Sequence, residues 1–181
     1  MNIFVLSEDP QQAARDQCDK HVVKMPLETA QMLCTALRQH GCDDVPYKSA
    51  HAKHPCTLWT AACRDNFLWL VEHGLELCAE YTRRYGKVHA SQAVIVVASN
   101  LSKTIPTGAL TSFAQAMPDQ YKHESAVEAY RSYYKNEKAA IATWRYSTTP
   151  PWWQTDSHSQ GGRGVVPPRL SLNIIGTGVA P

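Results

Sequence analysis

No stretch of this chain approaches the roughly 18 consecutive apolar residues that a membrane-spanning helix needs, so no membrane partner is expected. Net charge is nearly absent. At +2 over 181 residues, the chain lacks the global basic footprint of many nucleic-acid binders, and any such surface must come from local clustering. The opening "MNIFVLSEDP" has neither a basic n-region nor a small-residue cleavage site, and it turns acidic after six residues. A cytoplasmic protein is therefore expected rather than a secreted one. There is no Gly-rich phosphate loop, no dinucleotide fingerprint, no Gly-x-Ser-x-Gly and no internal repeat, and no cofactor is expected.

What remains is an ordinary globular mix, 44% hydrophobic and 19% charged, in a chain long enough for one core. The six cysteines read as buried free thiols of a reducing compartment. The expected fold is mostly α, a compact single-domain helical bundle over 1–150 with a Gly/Pro-rich tail, 151–181, that is loosely packed or disordered. "NIFVL" fits a strand or an extended arm. Asp9 and Pro10 then open a helical pattern running to about His40, with a kink expected near 22–26 at Pro26. A second long helix is predicted from 56 to Tyr85, capped by Gly86, with Gly74 as a weak spot. Residues 90–101 are read as a helix, and 124–142 as another.

Within "DKHVVKMPLETAQ" (19–31), His21, Lys24, Glu28 and Gln31 step by 3, 4 and 3 residues and form one polar stripe between apolar flanks. Burying Lys24 or Glu28 without a partner would cost about 3–5 kcal/mol, so these groups must pair or face a pocket. Two readings follow. Lys24 and Glu28 form a plain i, i+4 ion pair beside a satisfied interior histidine, or Glu28 is a general base or electrostatic stabiliser oriented by His21 and Gln31.

Other clusters are more ambiguous. Lys48, His51, His54 and Cys56 fall in one loop, but their spacing fits no zinc clamp, and no metal is expected. "RRYGKVH" and "YRSYYKNEK" interleave bases with aromatics. Arg83, Arg84, Lys87, Tyr130, Arg131, Lys135 and Lys138, with Lys20, Lys48, His51 and His54, are the candidate DNA contacts. Tyr130 and Tyr133 fit core positions equally well. Trp152 and Trp153 either clamp the tail to the body or offer a stacking platform.

"DKH" followed seven residues after the histidine by Glu28 resembles the first helix of phage pyrimidine dimer DNA glycosylases of the endonuclease V type. "HPCTLW…FLWL…LELCAEYTRRYG" resembles their next segment, placing His54, Glu80, Arg83, Arg84 and Gly86. The resemblance implies an all-α DNA-repair enzyme, phage-encoded and acting in the host cytoplasm. It would excise a damaged pyrimidine by amine attack on the sugar C1′ and then cut the strand as an AP lyase. It places the catalytic carboxylate on Glu28 and the amine on residue 2, which is Asn2 where the family has a smaller residue. Leu27 stands where the family has arginine. Lys20 and Lys24 are alternative amines. The partner is then DNA, damaged or modified and double-stranded, with no obligate protein partner. The competing readings are a transferase that hypermodifies thymine in phage DNA and a non-enzymatic helical nucleic-acid binder.

Overall fold

A computed structural model describes residues 1–153. Among them are six α-helices and no strand: α1 (Pro10–Asp16), α2 (Asp19–Gln39), α3 (Pro55–Ala62), α4 (Arg64–Tyr85), α5 (Gln92–Asn100) and α6 (Ala126–Glu137). The all-α expectation holds. Most of the tail, 154–181, lies outside the described residues. Among the described residues no helix is long and apolar enough to cross a membrane. "NIFVL" is an extended arm, with Ile3, Phe4, Val5 and Leu6 all buried.

The helical pattern expected from Pro10 to about His40 is two helices, with a break at Gln17–Cys18 that was not expected. Pro26 sits inside α2, which runs through it without interruption. The break is held from outside. The Arg84 guanidinium donates to the carbonyls of Arg15 and Gln17 at the end of α1, at 2.9 Å each. At the start of α2, the Cys18 N–H donates to the Tyr134 hydroxyl (3.0 Å) and the Asp19 N–H to the Thr143 carbonyl (2.8 Å). Four backbone groups at the two helix ends thereby find partners far along the chain.

The helix expected from 56 to 85 divides in the same way, at Cys63, whose backbone is extended. The Arg64 N–H donates to the Pro106 carbonyl (2.8 Å), and Asn66 bonds Thr111 through both its amide groups. Gly108 lies so close that an added Cβ would come within 2.7 Å of the Cys63 Cβ. Gly86 closes α4 in the left-handed conformation, as expected. The helix expected over 124–142 is shorter, starting on its Ser125 cap and ending at Glu137.

α2 and α4 form the centre, covered by α1, α3 and α5. Gly74 is the reason they lie so close: a Cβ there would meet Thr29 Cγ2 at 2.5 Å. The residue that reads locally as a weak spot is a contact point between helices. Trp152 and Trp153 act as a clamp. The Trp152 indole N–H donates to Asp16 (2.6 Å), and both rings pack edge-on to Tyr134.

Candidate active site

The N-terminal arm crosses the exposed end of the α2 stripe. Asn2 shapes it: its side-chain carbonyl accepts the N–H groups of Ile3 (2.8 Å) and Phe4 (3.2 Å), while its amide donates to the Ala116 carbonyl (2.9 Å). The backbone then turns through Phe4 at φ +37°, a conformation costing a non-glycine residue about 1–3 kcal/mol. That turn lays the Phe4 ring on His21, centroids 4.5 Å apart. It also aims the start of the chain at Glu28.

Glu28 is the hub. Its carboxylate accepts the Asn2 backbone N–H at 3.0 Å, lies 3.6 Å from the Met1 α-amine nitrogen, and pairs with Lys24 Nζ at 3.2 Å. The carboxylate side chain is 11% exposed whereas that of Lys24 is 68% exposed, so Lys24 forms a wet lip over a nearly buried acid. The Met1 side chain is buried, with its sulfur accepting from the Thr57 hydroxyl at 3.5 Å.

These groups open onto a hollow of about 220 Å³. Met1, Asn2 and Phe4 line it from the arm, His21, Lys24, Met25 and Glu28 from α2, and Ala116, Tyr133 and Lys138 from the second half of the chain. His21 Nδ1 is 2.6 Å from the Tyr134 hydroxyl. Burial, followed by the charges of Lys138 and Lys24, pushes the His21 imidazole down to about 4, so it is neutral at physiological pH. Lys138 sits over the Tyr133 ring at 4.7 Å. Four larger hollows lie elsewhere, around Asp16 and Arg83, around Lys20, Tyr85 and Arg145, around Arg38 and Lys48, and around Glu8 and Glu124. None holds an amine ion-paired with a nearly buried carboxylate, and chemistry outweighs size here.

His21, Lys24, Glu28 and Asn2 thus converge. Gln31, one turn further along α2, does not line the hollow. Among the residues expected to hold DNA, Lys20, Lys48, His51, Lys87 and Lys135 are exposed, and Lys138 reaches the hollow. Arg83 is exposed and paired with Glu80. Two of these expectations are corrected by burial. The Arg84 side chain is sealed between Asp19 and Glu80, and Tyr130 is fully buried, its hydroxyl donating to the Ala114 carbonyl. Arg131 is turned inward to the Leu6 carbonyl (2.9 Å) and stacks over Trp152. His54 caps α3, accepting the Cys56 N–H, and burial together with the nearby α-amine lowers its pKa. Among the described residues no group of three or more His, Cys, Asp or Glu is placed to hold a metal.

Sequence reasoning missed Phe4, Tyr134 and Ala116. Phe4 reads as one residue of an apolar arm and Ala116 as loop. The signal that could have found Tyr134 is its i, i+4 spacing from Tyr130, which puts both rings on one buried helix face.

The N-terminal arm thus presses an amine onto a helix-borne, sheltered glutamate inside an all-α fold. The chain belongs to the pyrimidine dimer DNA glycosylase family, whose model matches residues 1–93, just over half of its length. Neither a curated protein nor a solved structure matches it.

Proposed function

We propose that this protein is a DNA glycosylase with AP-lyase activity that removes a damaged or modified pyrimidine from double-stranded DNA. The observation that carries this reading is the nearly buried Glu28 carboxylate with the Met1 α-amine at 3.6 Å and the Asn2 nitrogen at 3.0 Å. An unprotonated amine there attacks C1′ as the C1′–N1 bond breaks and the bonding pair leaves with the base. Glu28 stabilises the cationic sugar and takes up protons released from the amine. A proton passed to O4′ then opens the sugar ring, the C1′–O4′ bond breaking as the nitrogen pair forms the C1′=N imine; loss of a C2′ proton from that imine expels the 3′ phosphate and cuts the strand.

In a chain that keeps Met1 the nucleophile is the Met1 α-amine. In a chain that loses it, the Asn2 nitrogen becomes the α-amine and is already in place. Lys24, 3.2 Å from Glu28, is the side-chain alternative. Lys20, Lys48, His51, Lys87, Lys135 and Lys138 are the phosphate contacts of this reading, and Arg83 joins them by leaving Glu80.

The test is borohydride trapping on duplexes carrying a thymine dimer, an abasic site or neither, with peptide mapping of any adduct. The expected result is a covalent complex on the first two duplexes through Met1 or Asn2. DNA binding without adduct or strand cleavage would reject the reading. Glu28→Gln is expected to slow base release by about 10²–10⁴-fold while leaving DNA affinity near wild type.

A further inference from the structure

The Tyr134 hydroxyl has one proton to place and two neighbours that dictate where it goes. The Cys18 N–H already donates to the phenolic oxygen at 3.0 Å. At 2.6 Å on the other side lies His21 Nδ1, which accepts only when it carries no proton. The Cys18 thiol beside the phenol is a much weaker acceptor than an imidazole nitrogen. Burial holds the phenol protonated, its pKa raised well above the ordinary value, so the oxygen remains a donor throughout the working pH range. The hydroxyl therefore donates to Nδ1, and the ring proton of neutral His21 sits on Nε2. That nitrogen has no partner among the described residues and is not sealed from solvent, and His21 lines the hollow beside Glu28.

From this geometry we infer that Tyr134 is a positioning residue that fixes His21 as the Nε2–H tautomer, making it a neutral hydrogen-bond donor to a substrate oxygen and not a general base. The inference rests on the glycosylase reading for the identity of that oxygen. As the C1′–N1 bond of a pyrimidine nucleotide breaks, the electron pair passes to the base and its O2 carbonyl gathers negative charge. A donor fixed beforehand stabilises that charge without transferring a proton. Glu28 is then left alone to handle protons. The ring is held on both faces of the problem: Phe4 stacks on it at 4.5 Å, and Tyr134 sets its proton. The charged or titratable groups lining the hollow with it are Lys24 and Glu28 from α2, the Met1 α-amine from the arm and Lys138 from beyond α6; the two lysine ammoniums disfavour a cationic ring. Tyr134 lies outside the family-matched segment, so this device is supplied by the part of the chain that the family model leaves out.

The test is long-range proton–nitrogen NMR on the full chain with labelled histidine, followed by base-release kinetics. Wild type is expected to show His21 with bare Nδ1 and protonated Nε2 at neutral pH, with no titration near the ordinary histidine midpoint. In Tyr134→Phe burial and the two lysines still hold His21 neutral, but the Nε2–H preference should be lost, with part of the population protonated on Nδ1, a lower kcat and little change in KM. His21→Gln, whose amide nitrogen reaches the Nε2 position, should keep at least a tenth of the base-release rate. His21→Asn, which cannot reach it, should lose about 10²–10³-fold. A protonated Nδ1 or a cationic ring in wild type at neutral pH overturns the inference, as does His21→Asn matching His21→Gln. If wild type shows the expected tautomer but releases no base from any duplex, the proposed function fails and the role of Tyr134 stands.

Discussion

At the scale of single residues, the buried neutral histidines control how the protein responds to acid. Burial pushes His21 down to about 4 and His73 to about 3. His73 is stacked on Trp69 at 5.0 Å and contacts the Gln17 amide at 3.2 Å. In the unfolded chain both titrate near the ordinary 6.5. Below that pH the unfolded state binds more protons than the folded one. Stability is thus complete above about pH 6.5 and falls steadily as the pH drops toward the folded values. Each pKa unit is worth about 1.4 kcal/mol, so His21 alone removes roughly 3 kcal/mol by pH 4. Urea unfolding at pH 7.5 and 4.5 should show a clearly lower midpoint in acid; equal midpoints would mean that these rings are not held neutral. The stripe bearing His21, Lys24 and Glu28 was legible because helical spacing alone puts those residues on one face. The groups that give it a chemical environment, Phe4 and Tyr134, were not, because they arrive from 17 to 113 positions away from His21 in the chain.

At the scale of helices, two substitutions separate local preference from tertiary packing. By helix propensity, Gly74→Ala in the interior of α4 should stabilise by about 1 kcal/mol. The 2.5 Å approach of Thr29 Cγ2 reverses the sign, and a net loss of about 1–2 kcal/mol is expected by calorimetry because two packed helices must separate. A raised melting temperature would show that the α2–α4 contact is looser than described. Arg84→Ala should cost about 3–5 kcal/mol. It removes the ion-pair partner of buried Asp19 and the buried one of Glu80's two arginines, and uncaps the end of α1. Exposed Arg83→Ala should change stability by less than about 1 kcal/mol, although it adjoins Arg84 in sequence. Comparing their denaturation curves tests whether "RR" is one buried clamp and one surface cation. Helix ends explain most of the sequence-based errors. Gly86 ends α4 through its own backbone freedom and was readable. The breaks at Gln17–Cys18 and Cys63 are sustained by Arg84, Tyr134, Thr143 and the 106–111 segment, none of which leaves a local signal.

At the scale of the whole molecule, the family-matched segment is not self-sufficient. Its N-terminal arm is held by Ala116 and Arg131, its α1–α2 junction by Tyr134 and Thr143, and its α3–α4 junction by Pro106 and Thr111. A chain cut after residue 93 is therefore expected to lack a cooperative thermal transition. The full chain is expected to unfold in one step, the outcome that distinguishes one domain over 1–150 from two. A cooperative transition in the fragment would establish the matched segment as a folding unit of its own.

Sequence by itself determined the class and the chemistry: helical periodicity without alternation dictates an all-α fold, and a 3-4-3 spacing places an acid, a base-type ring and an ammonium on one stripe. Tertiary structure decided which of these groups meet water and which meet each other. Arg84 and Lys20 are alike as letters. One is sealed against two carboxylates and the other is exposed, because burial of a cation depends on partners that only the folded chain brings within 3–4 Å. The same holds for the amine at Glu28, which exists as a site only because a strained turn at Phe4 folds the first residues back onto α2.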